Sequence, residues 1–138
     1  MRRMKRKMKM SNDIRMRYAF DRSWEYGWAG ESAAAGKIRV HASGGFMDNL
    51  AGLMGCSGMQ RGFGLWLSGC SSIHMLFMRF AIDVVWLGEA DGDGRAPVVG
   101  VDHAVKPWRL AFGPTGAKSC IEVAAETAPE GIAWVHMH

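Results

Sequence analysis

Apolar residues along this chain fall in short runs broken by glycine-rich stretches. The densest run is 72–87, SIHMLFMRFAIDVVWL, where twelve of sixteen side chains are apolar. Ile82, Val84, Val85 and Trp86 make its second half β-branched and aromatic, which favours strand over helix. Both alternating faces are apolar, so a strand here is expected to be covered on both sides. Residues 37–41 (KIRVH) and 63–67 read as two earlier strands. Phe46, Leu50 and Leu53 share one face by i, i+4, i+7 spacing and Gly55 follows, which predicts a short helix over 46–54. The DGDG at 91–94 joins two strand-like runs as a hairpin, Val84–Leu87 outbound and Pro97–Val101 returning. Residues 105–110 read as a strand end turning at Pro107, 120–124 as a strand, 126–131 as a turn, and 132–138 as the closing segment. The expected fold class is mainly β (α+β): a compact antiparallel sheet or partly closed barrel with one or two short helices.

The central run also carries charge. Arg79 and Asp83 sit among apolar neighbours, where an unpaired charge is costly. In one straight strand they would lie ~13 Å apart, from a rise of ~3.3 Å per residue. A bend near Phe80 and Ala81 would let them meet. Two readings follow: a structural ion pair pinning two short strands, or a charged pair lining a pocket.

Charge is unevenly spread. Residues 1–17 hold eight Lys or Arg and one Asp, so the rest of the chain has nine basic and twelve acidic residues. The net +4 therefore belongs to the N-terminal run, which is expected to be a solvated, disordered tail. Nucleic acid is not expected on the domain itself, although residues 1–17 could touch RNA, DNA or an anionic membrane. Residues 18–36, with Trp24, Tyr26 and Trp28, read as either a short strand or a docking segment leading into a small-residue linker. The single domain is accordingly set at 37–138, with 1–36 as an extension. No transmembrane or secretory segment is read, and three cysteines without a disulfide-framework spacing suit a reducing, cytoplasmic setting. In the DGDG turn, Arg95 stands where a calcium loop needs another oxygen ligand, so calcium is not expected.

Four segments together carry a resemblance: AGLMGC at 51–56, GFGLWLSGC at 62–70, the 72–87 run, and KPWRL at 106–110. In this order and spacing the chain resembles the domain of unknown function 192 family, from about Lys37 to about Gly131. The resemblance implies a compact, mostly antiparallel β domain with one or two short helices, and no established activity. The chain departs from the family pattern at Ala51 and Cys56, where arginines are usual, and at Met75 and Ala81, where Thr and Pro are usual. Beyond Gly131 the usual closing strand is not recognisable.

The candidate ligand-binding residues are His74, Arg79, Asp83, Trp108 and Arg109, forming a shallow pocket for a small polar molecule. An aromatic ring beside Arg and Asp suits such a ligand. No catalytic residue, cofactor or metal is assigned. A Cys70–His74–Asp83 hydrolase or transferase, and a metal site from Cys70, His74, His103, His136 and His138, are weaker alternatives. A further alternative is an accessory protein engaging a macromolecule through its basic tail. Met47, Met54, Met75 and Met78 read as core fillers, and Trp66 and Trp86 as core or half-buried strand residues, while Trp108 is the ring to expect at the surface.

Overall fold

A computed structural model describes residues 14–42 and 56–138. Its single short helix among these residues is α1, Ile14–Arg17. The strands are β1 (Arg22–Trp28), β2 (Gly36–Ala42), β3 (Phe63–Ser68), β4 (Ser72–His74), β5 (Ile82–Leu87), β6 (Arg95–Val105), β7 (Leu110–Phe112), β8 (Ser119–Ala124) and β9 (Ile132–His136). Seven of them close a barrel in the order β1-β2-β3-β8-β5-β6-β9, while β4 and β7 form a separate two-stranded arm. The mainly β, barrel-like expectation is met. The helix predicted over 46–54, and with it Met47, Ala51 and Met54, lies outside the described residues.

Every pairing is antiparallel except β2 with β3, which run parallel. A parallel pair needs a long connection, and β2 ends at Ala42 while β3 begins only at Phe63. β5 is the most enclosed strand, buried at all six positions, as its two apolar faces require. One face points into the barrel: Val85 and Leu87 pack there with Trp24, Val40, Ile121, Val123 and Val135. The other face, with Ile82, Val84 and Trp86, is covered from outside by Ile73 and Ala111 of the arm, by Met75 and Met78, and by Ile14 and Phe20. The protein therefore has two apolar layers separated by one sheet.

The 72–87 run is two strands in different sheets, β4 and β5, joined by residues 75–81. The predicted hairpin is present, with Leu87 opposite Val98 and Val85 opposite Val101. Its turn is set by Asp91, whose Oδ1 accepts the backbone N–H groups of Asp93 and Arg95 at 2.9 Å each. That is an Asx turn, so Asp91 serves the backbone.

Two expectations are corrected. The domain does not begin at Lys37, because β1 lies upstream of it and pairs with both β2 and β9. Trp24 of β1 is fully buried in the barrel and meets Trp66 edge-on at 5.2 Å. The closing strand is also present: β9 sits between β1 and β6 and completes the ring. Gly27 shows how closely β1 and β9 approach, since a Cβ there would lie 2.1 Å from the Trp134 ring. A chain starting at Lys37 should lose cooperative folding, because it strips the β2 and β9 edges and removes Trp24 from the core. A single sharp thermal transition in that truncation, followed by circular dichroism, would contradict the seven-stranded barrel.

Candidate functional site

Asp83 is fully buried near the start of β5. Its carboxylate accepts backbone N–H groups from Ala104 (2.8 Å), Glu126 (2.9 Å) and Ala128 (3.0 Å), and His103 Nδ1 lies 3.4 Å away. Arg79 is exposed in the 75–81 segment and is not among these partners. The expected Arg79–Asp83 ion pair is thus replaced by a carboxylate held in backbone donors, which need no countercharge. Burial opposes ionisation of Asp83, but the donors from Ala104, Ala128, Glu126 and His103 outweigh it and hold the carboxyl below its ordinary value. Ala104 and Glu126 both have left-handed backbones, with φ of 50° and 63°, so these bonds offset strain at non-glycine positions.

His74, Trp108 and Arg109 do come together, on the β4–β7 arm. His74 stands opposite Leu110, Met75 N–H bonds the Arg109 carbonyl, and Trp108 N–H bonds the Met75 carbonyl, both at 2.7 Å. Trp108 is 59% exposed, as expected of that ring. Asp83 faces the end of β6 and the 125–128 turn, so it does not share this cluster.

Cys70 and His74 do not form a nucleophile–base pair. His74 Nδ1 accepts the Leu76 N–H at 3.3 Å, while Cys70 Sγ donates to the Ser72 carbonyl at 2.8 Å and meets the Cys120 thiol. The Cys120 contact holds the Cys70 thiol down at about 6, against the effect of burial. The same contact and burial push Cys120 well above the usual thiol range. Glu122 shares this outer layer, opposite Leu65 and Val84, and is only 5% exposed. Burial, then the nearby Cys70 charge, push its carboxyl up to about 8. Among the described residues, no group of three or more His, Cys, Asp or Glu is placed to hold a metal ion. His136 and His138 meet ring to ring at 4.4 Å, tilted by 50°, and His103 is at Asp83, so the histidines considered for a metal do not converge.

A cavity of ≈130 Å³ opens at one end of the barrel. Val85, Ile121, Val123 and Val135 form its apolar floor, and Tyr26, Lys37, Arg61 and Thr127 bring polar groups to it. Lys37 and Arg61 are both exposed, so their charges stand at the rim. Asp83 acts here at one remove, because it pins the 126–128 turn that carries Thr127 beside Pro129. None of the four polar lining residues was singled out from the sequence. They come from four separate segments and share no spacing, so only barrel closure reveals them.

Two predictions follow from these buried carboxylates. Asp83→Ala should destabilise the fold by about 3–5 kcal/mol, since it strands three buried N–H donors. Arg79→Ala should change stability by no more than about 0.5 kcal/mol. Urea unfolding of both variants checks this, and equal losses would restore the ion pair. For Glu122, the folded state keeps a proton that the unfolded chain releases near 4.5, so stability falls as pH rises above that value. Cys70 works oppositely, adding stability as pH rises from about 6 towards 9, so the Glu122 effect stands alone between 4.5 and 6. Across that interval the wild type should lose about 2 kcal/mol, at ~1.4 kcal/mol per unit. Glu122→Gln should show no such fall; a matching fall in the variant would remove Glu122 as its cause.

The family comparison agrees with this architecture. The family described as "Uncharacterized ACR", domain of unknown function 192, matches residues 30–133. No curated protein matches the chain. A candidate transcription regulator from Sinorhizobium meliloti 1021 shares the fold at a TM-score of 0.66 and 14% identity, over 82% of this chain and 91% of its own. A protein of unknown function from Novosphingobium aromaticivorans DSM 12444 does so at 0.63 and 12%, over 82% of each chain. At such identities these two likenesses speak for the fold alone. With its match spanning most of the sequence, from just after β1 into the start of β9, the chain belongs to the domain of unknown function 192 family.

Proposed function

We propose that the open end of the barrel binds a small organic anion with an apolar body. The observation that carries this reading is the pairing of an apolar floor with two cationic side chains at one cavity mouth. Barrel mouths are common ligand sites, and a few convergent polar groups over apolar walls are their usual make-up. The volume limits the guest. A cavity of about 150 Å³ takes a benzene-sized molecule, so the ≈130 Å³ here suits a single ring or a short branched chain. A carboxylate on that body would reach Lys37 and Arg61, and Tyr26 and Thr127 could hydrogen-bond it.

Gly64 supports the shape of this site. It lies opposite Val123, and a Cβ on it would meet Ile121 at 2.7 Å and Ile38 at 2.9 Å, both of which line the cavity. The glycine lets those side chains lie back from the opening. The polar ligand expected from the sequence is retained in this reading, while its seat moves from the 72–83 and 108–109 residues to the barrel end.

The test is a titration of the full chain with benzoate, isobutyrate and their neutral amides, followed by amide chemical-shift changes. Saturable shifts at the cavity residues are expected for the carboxylates, with binding weakened about tenfold or more in Arg61→Gln or Lys37→Gln, the loss of one charge-assisted bond. Equal response to amides, or no saturable shift, would overturn the proposal.

A further inference from the structure

The large hydrophobic side chains that stand exposed among the described residues are Leu76, Phe77, Trp108, Leu110 and Phe112. All belong to the β4–β7 arm or the two loops at its tip. Alternation explains the arm itself. Ile73 and Ala111 point inward and are buried, so Leu110 and Phe112 must point out, at 62% and 70% exposure. The tip is held, not loose. Met75 is fully buried, and its backbone bonds Trp108, Arg109 and Met78. Phe77 and Trp108 both occupy left-handed backbone, at φ of 62° and 68°, and their rings meet at a tilt of 59° with centroids 5.0 Å apart, at 60% and 59% exposure. Two non-glycine residues in that region cost free energy, yet the outcome is to present two rings to solvent.

Charge decides what fits such a surface. Arg79, Lys106 and Arg109 are exposed on the same segments. From 71 to 82 and from 104 to 118 there is no acidic residue at all, although the chain after residue 17 has more acids than bases. An isologous contact with a second copy would set these cations against their own kind. Bare aliphatic groups such as Leu76 and Leu110 gain nothing from a phosphodiester backbone. An anionic bilayer surface meets both demands, since its headgroups take the cations and its interfacial zone takes Trp, Phe and Leu.

We propose that the β4–β7 arm is a membrane-docking surface, which sets Phe77, Trp108, Leu110 and Phe112 into the interface of an anionic lipid bilayer. Arg79, Lys106 and Arg109 then face the lipid headgroups. Reversible docking is expected to draw on a second signal, and the eight Lys and Arg of residues 1–17 provide one in the same chain. This surface is separate from the barrel cavity: the arm covers the outer face of the sheet, and the cavity opens from the inner one.

The experiment is co-sedimentation of the full chain with vesicles of phosphatidylcholine alone and of phosphatidylcholine mixed with phosphatidylglycerol. Binding to the mixed vesicles is expected, with little to the neutral ones. Phe77→Asn with Trp108→Asn should lower the partition coefficient about tenfold or more, because the buried apolar area is lost while the basic residues remain. Asparagine tolerates the left-handed backbone, so the variant is expected to melt like the wild type. Replacing Arg79, Lys106 and Arg109 together by Gln should weaken the preference for anionic vesicles, with the cations of residues 1–17 supplying what is left. Three results would overturn the proposal: no binding to mixed vesicles, equal binding by the Asn variant, or concentration-dependent dimerisation of the wild type that the Asn variant abolishes.

Discussion

The carboxylate of Asp83 ties together three segments at one end of the barrel. It accepts N–H groups from Ala104, Glu126 and Ala128, which lie 21, 43 and 45 residues further along the chain. These bonds fasten the end of β6 and the β8–β9 turn to the start of β5. A charge buried in an apolar strand is tolerated only with such a full set of donors. Backbone donors are also indifferent to the side chains around them, so the neighbouring sequence is free to serve other ends. The barrel end that Asp83 pins is the end where the cavity opens, which makes a structural carboxylate the frame of that cavity.

The importance of Asp83 was legible in the sequence, because a lone acid in a run of apolar residues demands a partner. The identity of the partner was not. Arg79 is the nearest opposite charge along the chain, and pairing by charge misses donors that have no side-chain signature. The burial of β5 and the β5–β6 hairpin were readable for the opposite reason: both rest on local periodicity and turn chemistry. β1 was harder. Only Trp24 and Gly27 of its seven residues are buried, and the alternating aromatics of RSWEYGW left a strand and a docking segment both open. Its place in the fold is set by long-range pairing with β9, which no window along the chain contains.

The same limit applies to the cavity. Lys37 begins an apparent strand, Arg61 lies in a polar glycine-rich loop, Tyr26 sits in a segment read as a short strand or a docking segment, and Thr127 in one read as a turn. Each is unremarkable alone. Closing β2 against β3 and β9 against β1 brings them to one rim. Trp108 fared better because its signal is local: proline before it and arginine after it favour a turn that exposes the ring.

β8 is where the two functional readings meet. Ile121 and Val123 point into the barrel and floor the cavity, while Cys120 and Glu122 point outward beneath the arm. All four are side chains of one strand, alternating across one sheet. Glu122 is carried on the outer face at a cost, since an apolar residue there would avoid burying a carboxyl. Burial, and then the charge at Cys70, keep the Glu122 carboxyl protonated near pH 7. The proposed lipid surface and the proposed anion pocket therefore lie on opposite sides of one sheet, and β8 is one strand with a different task on each face.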